Sequence, residues 1–251
     1  MALISVGSIG DFSVVALPAA KKRLAAAARI STLAVLAEVT NQSPPKGFDF
    51  TISKNRRGLT LQSLLLKRDF QNFIARVFHR NSKIYFLAWA WDMSGLSFYP
   101  GQKADPTSCL IPLKGGELRK FIGAGAILFP PRSITAGLAL RIQIWESRGR
   151  LRKFGDVMAK VASTIQGSDL NNALMALAAG SGVATGGASG ALAIIEPAAL
   201  ELSKLIGEIL AKSADDAVDY FEGYFPASDS WSTGPDKYEG HGSTIVLNRI
   251  S

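Results

Sequence analysis

The chain has 251 residues, 47% hydrophobic and 19% charged, enough apolar material for one large domain or two small ones and too much for intrinsic disorder. One cysteine, Cys109, and two histidines, His79 and His241, exclude an internal disulfide framework and a structural zinc cage. The net charge of +8 is divided: residues 1–153 hold 23 Lys/Arg against 8 Asp/Glu, a net +15, while residues 154–251 hold 5 against 12, a net −7. A basic first part suits an anionic partner, whether membrane or nucleic acid, and opposite halves suit contacts between copies of the chain.

The first twenty residues contain no Lys or Arg, which is not the layout of a classical signal peptide. Cytoplasmic synthesis is the expectation, with membrane association as an option. Residues 1–46 read as an N-terminal helical arm, with Pro18 near the first turn of an alanine-rich helix that runs to Val39. Asn41 to Gly47 ends that helix and resembles a linker.

Residues 47–153 read as a basic β-sandwich. Phe48, Phe50 and Ile52 alternate with Asp49 and Thr51, the period of a half-buried strand, and Leu59 to Leu66 is a second. Residues 70–78 are read as a strand leading through a turn into Ile84 to Trp91, a run apolar on both faces that suits a central strand covered on both sides. Tyr85, Phe86, Trp89 and Trp91 therefore read as core and not as a ligand platform. Phe121 to Phe129 and Leu138 to Trp145 complete the strands, with Pro130-Pro131-Arg132 as their connection. In the second of these, Leu138, Leu140, Ile142 and Ile144 face one way and Arg141 and Gln143 the other.

Residues 154–226 read as a helical hairpin inserted before the last strand. Val157, Val161, Ala162 and Ile165, then Leu170, Ala173, Leu174 and Leu177, have helical spacing, and Glu196-Pro197 starts a further helix to about Glu222. Leu170 to Ile195 is a run of 26 residues without formal charge, roughly 39 Å if it were one helix. Gly182, Gly186 and Gly190 carry the small-residue spacing that permits close helix approach in lipid. In water each glycine costs a helix about 1 kcal/mol relative to Ala, so a hairpin apex joining two antiparallel helices is favoured over a spanning helix. Residues 227–251 read as a loop and a closing strand, Thr244 to Ile250, that returns to the sheet. The fold class is thus α+β, an antiparallel β-sandwich with an inserted apolar helical hairpin.

The candidate anionic-surface residues are Arg148, Arg150, Arg152 and Lys153, with Lys54, Arg56 and Arg57; seven cations on a strand-rich surface bind phosphate in a salt-dependent way. No nucleic-acid motif accompanies them. Asp215, Asp219 and Glu222 fall on one face if the last helix extends that far, but a single helix lacks the wrapping loop that a Ca²⁺ site needs. No phosphate-binding loop, nucleophile elbow, zinc-protease motif or dinucleotide fingerprint is present, and no cofactor is implied. The leading expectation is a non-enzymatic interaction protein. Its basic sandwich would dock on an anionic surface, and its glycine-rich hairpin would serve membrane association or self-assembly. The rivals are a structural subunit of a homo-oligomer, held by its oppositely charged halves, and an enzyme whose site is not legible as a motif.

Overall fold

A computed structural model describes residues 3–7, 51–68, 82–101, 104–147, 151–179, 188–213 and 215–251. Of the expected helical arm, residues 3–7 are described and form a strand, not a helix; the alanine-rich helix expected to run to Val39, the residues Phe48 and Phe50, the strand at 70–78 and the glycines Gly182 and Gly186 lie outside the described residues.

Among the described residues, two antiparallel sheets and three α-helices form the α+β fold. Six strands make the first sheet: β1 (Leu3–Gly7), β3 (Ser82–Asp92), β4 (Gly95–Tyr99), β5 (Ile111–Leu113), β8 (Gly137–Glu146) and β9 (Asp216–Pro226). They run in the order β1-β9-β8-β3-β4, with β5 also paired to β3. The second sheet has five: β2 (Arg57–Leu66), β6 (Leu118–Lys120), β7 (Ala126–Arg132), β10 (Gly234–Glu239) and β11 (Ser243–Ile250). Here the order is β10-β11-β2, with β6 and β7 both on the far edge of β2.

The sandwich core lies between the sheets. Leu59, Leu61, Leu64, Leu66, Phe129, Ile245 and Leu247 from one sheet meet Ile84, Phe86, Leu138, Leu140, Ile142, Ile144 and Phe221 from the other in one buried cluster. Fully burying such a side chain contributes about 1.5–3 kcal/mol. The apolar phase of β2 changes after Leu61 because the pairing with β11 skips Gln62: Val246 faces Ser63 while Leu247 faces Leu61. That bulge turns Leu64 and Leu66 to the same side as Leu59 and Leu61.

The opposite face of the six-stranded sheet is covered by α1 (Leu151–Gln166), α2 (Asp169–Ala179) and α3 (Ala188–Lys212). Phe154, Met158, Val161 and Ile165 of α1, Leu170 and Leu174 of α2, and Ile195, Ala199, Leu202, Ile206 and Leu210 of α3 pack with Tyr85, Leu87, Trp89, Trp91 and Trp145. β3 is apolar on both faces because its alternate residues serve these two cores. β8 alternates for a different reason from the one its sequence suggests. Its polar face meets α3 and not water, so Arg141 and Gln143 are buried.

Four expectations are corrected. The last helix ends at Lys212, and Asp216–Pro226 is a strand; a bulge at Val218, where Ile144 faces Asp219 and Trp145 faces Ala217, interrupts the period of two that would have marked it. The inserted helices accordingly span 151–212, and three strands follow them, not one. Pro197 lies inside α3 and does not start it; burial of Ile195, Ala198 and Ala199 around it offsets the lost backbone bond. Pro130 and Pro131 lie within β7 and are no connection: β7 is an edge strand whose register against β2 shifts there, where a proline removes no needed ladder bond. The segment 227–242, expected as loop throughout, also contains β10.

Candidate functional site

Both β6 and β7 run antiparallel to β2, at consecutive stretches of it. Leu118 to Lys120 pair with Leu65 to Ser63, and Ala126 and Ile127 with Leu61 and Thr60. They are therefore one edge strand interrupted by a five-residue excursion, 121–125. The Phe121 amide bonds Gln62 O at 2.9 Å, opposite the β2 bulge, and the Gly125 amide bonds Ile122 O at 3.3 Å to close the turn. The Phe121 ring turns inward to an edge-on contact with Phe86, centroids 5.7 Å apart. Gly125 holds φ +95°, and a Cβ there would stand 2.5 Å from Leu61 O, so only glycine fits.

That arrangement puts Ile122 into solvent at 97% exposure, with Leu118 and Ile127 about half exposed on either side. Lys114, Arg119 and Lys120 are exposed along the same edge, and among the described residues no carboxylate pairs with the side chains of these three. The Glu117 carboxylate turns back to accept the Lys114 amide at 2.8 Å.

The cations singled out from the sequence fare differently from one another. Lys54 is exposed. Arg56 is exposed and lies along β7, its guanidinium donating to Pro131 O at 2.7 and 3.1 Å. Arg57 is built into the fold: 4% exposed, it donates to the carbonyls of Pro226, Ala227 and Asp229, each at 2.6 Å, and stacks over Trp231. Burial pulls its guanidinium below the usual range, partly countered by Asp229. Arg148 and Arg150 lie outside the described residues, and Arg152 and Lys153 fall in the first turn of α1. Lys54 and Arg56 precede β2, while Lys114, Arg119 and Lys120 flank its other end, ~30 Å along the strand. The excursion lies between these two groups.

Gly190 lies in the first turn of α3, and the charge-free run from Leu170 to Ile195 begins in α2 and ends in α3. Leu170, Ala173, Leu174 and Ile195 of that run are buried. Among the described residues no helix is long and apolar enough to cross a membrane.

Asp215, Asp219 and Glu222 share no helical face. Tyr85 Oη donates to Asp215 Oδ2 at 2.8 Å, and burial, reinforced by Asp215, pushes the Tyr85 phenol far above its usual range. Asp219 accepts from the amides of His241 and Gly242 and from the Ser243 hydroxyl. Glu222 Oε1 accepts from Arg141 Nε at 3.0 Å and Nη2 at 2.5 Å. Arg141 Nη1 donates to Ser203 Oγ of α3 at 2.9 Å, and Gln143 reaches Ser203 O at 3.3 Å. Arg141 and Gln143 thus join the sheet to α3 while Asp219 joins it to the other sheet, and no group of residues suited to hold a metal ion occurs among the described residues. A shallow cleft of about 390 Å³ opens between the α1–α2 corner, at Ser163, Gly167 and Ser168, and Glu201, Leu202 and Leu205 of α3. Its rim carries Asp169 and Glu201 and no cation, unlike the basic edge.

The excursion was missed from the sequence, where Phe121 to Phe129 reads as one strand. The available signal was Ile122-Gly123-Ala124-Gly125, two glycines at alternate positions inside an apolar run.

No family model matches the chain, and no curated protein matches it. Among solved structures the chain is similar to human GIVD cytosolic phospholipase A2 in complex with methyl gamma-linolenyl fluorophosphonate inhibitor and terbium chloride, at 5% identity and a TM-score of 0.31. The match covers 80% of this chain and 17% of that one.

Proposed function

We propose that this chain is a non-enzymatic interaction protein whose basic β-sandwich docks on an anionic surface through the edge formed by β6, the excursion and β7. The observation that carries the reading is the set of exposed cations Lys114, Arg119 and Lys120 on one edge, without carboxylate partners among the described residues. Arg56, bonded to Pro131 O of β7, extends the same edge, and the exposed Lys54 lies two residues before it in the chain. Elsewhere, the buried Arg141, paired with Glu222 at 2.5 Å, shows what the fold does with a cation it uses internally.

Cations on an exposed edge attract phosphate-bearing surfaces and release counterions on contact, so binding falls with salt. Co-sedimentation with vesicles of phosphatidylserine and phosphatidylcholine, against phosphatidylcholine alone, tests the reading across a salt series. The triple variant Lys114→Gln, Arg119→Gln, Lys120→Gln is expected to bind at least tenfold more weakly, at about 1 kcal/mol per cation near an anionic membrane, and with a flatter salt dependence. Equal binding by variant and wild type would leave these cations as solvated charge.

A second reading is self-assembly, favoured by the acidic excess of residues 154–251 against the basic first part. Light scattering without vesicles separates the two: self-assembly predicts salt-sensitive oligomers in the absence of any anionic surface.

A further inference from the structure

We propose that residues 121–125 are a preformed wedge that inserts Ile122 into the acyl boundary of an anionic bilayer, so that the surface on which the sandwich docks is lipid. This rests on the docking reading above and deepens it. Ile122 is the most exposed large hydrophobic among the described residues, at 97%, and the half-exposed Leu118 and Ile127 flank it at 51% and 53%.

From Phe121 to Ile127 the chain carries no charge, and Arg119 and Lys120 stand immediately before it. An apolar tip backed by cations is the chemistry of an interfacial membrane contact: the side chain leaves water while the cations stay at headgroup level. The wedge needs little ordering on contact. Phe121 anchors its base on Phe86, the Gly125 amide closes its turn, and Gly123 and Gly125 hold φ of +66° and +95°.

Two other uses of the same feature fit less well. An interruption in an edge strand blocks pairing between copies, but Lys120 and Arg119 already do that, and an exposed isoleucine at the tip works against it. Nucleic acid offers phosphates to the cations, yet an aliphatic tip has no hydrogen bond to give a base and no ring to stack on one.

The test uses the full chain with vesicles of phosphatidylserine and phosphatidylcholine. Ile122→Ser removes the apolar tip at an exposed position, so the thermal midpoint should stay where it is while partition into vesicles falls about tenfold. Ile122→Trp places a reporter at the tip; lipid brominated on its acyl chains should quench its emission beyond the quenching of the four native tryptophans in wild type. Wild-type partition of Ile122→Ser, or no added quenching of Ile122→Trp, would overturn the wedge and leave docking through cations in place. Preferential binding of the wild type to a nucleic-acid duplex over vesicles would overturn the assignment to lipid. Binding to neither would overturn the wedge and the docking reading together.

Discussion

Asp219 and Gly242 stand in different layers of the sandwich and are joined directly, the Gly242 amide donating to Asp219 Oδ2 at 3.0 Å. Asp219 lies in β9 of the six-stranded sheet, and Gly242 lies in the turn between β10 and β11 of the other. The same carboxylate accepts the His241 amide at 3.0 Å and the Ser243 hydroxyl at 2.5 Å. One buried side chain therefore satisfies three donors of a tight turn and ties the strands that follow the helices to both layers of the sandwich.

Removing that tie should be costly. Asp219→Ala leaves three donors without their acceptor, two of them, the Gly242 amide and the Ser243 hydroxyl, in a buried place, and is expected to lower stability by about 3 kcal/mol. Gly240→Ala should act in the same direction, since a Cβ there would stand 2.5 Å from the Asp219 carboxylate. Urea unfolding monitored by tryptophan fluorescence gives both values.

Arg57 and Lys54 are three residues apart and should answer to different assays. Arg57→Gln loses charge-assisted bonds to three carbonyls and the stack on Trp231, for an expected loss of about 2–4 kcal/mol. Lys54→Gln, at an exposed position, should change stability by no more than about 0.5 kcal/mol and act only on surface binding. Thermal melts beside vesicle co-sedimentation distinguish the two roles.

The pair Arg141 and Glu222 is coupled to Ser203 through one guanidinium. Glu222→Gln and Ser203→Ala should each destabilise the chain, and the double variant should lose less than the sum of the two, with a coupling of about 1 kcal/mol. Strict additivity would mean that the two contacts hold Arg141 independently.

Alkaline unfolding follows from the phenols. Burial raises Tyr85, Tyr99 and Tyr220, and burial followed by the nearby Asp236 pushes Tyr238 up to about 12. A folded pKa above the unfolded one means that the folded state holds its proton longer. That stability is complete below the ordinary tyrosine value of about 10 and is lost as pH rises from there through the folded values. Circular dichroism should show unfolding begin above about pH 10, with phenolate absorbance rising in the same transition. Tyr238→Phe should reduce the loss of stability between about pH 10 and 12.

Deleting 243–251 removes β11, which pairs with β10 on one side and with β2 on the other. It also removes Ile245 and Leu247 from the sandwich core. The truncated chain should lack a cooperative melt, because β2 loses its ladder and its inward leucines lose their cover.

What could be read from the sequence was local pattern. The doubly apolar run Ile84 to Trp91, the alternation of Leu138 to Ile144, the helical spacings after residue 154 and the terminal strand are all present, because each depends on a period that burial imposes on neighbouring residues. The charge division was equally plain, and it pointed to an anionic partner. Where a bulge adds one residue, as at Gln62 and Val218, the period breaks, and the sequence of β9 reads as the end of a helix.

Partnership was decided only by the tertiary structure. Arg57 and Arg56 are adjacent cations in sequence; one is buried against three carbonyls and the other lies exposed along an edge strand. Arg141 alternates like a solvent-facing residue and is buried because α3, some sixty positions later, covers that face. Ile122 reads as one more apolar residue in a strand and is exposed because β2 already pairs with the segments on either side of it. Sequence spacing specifies which side of an element a residue occupies, whereas its chemistry depends on what long-range packing places against that side.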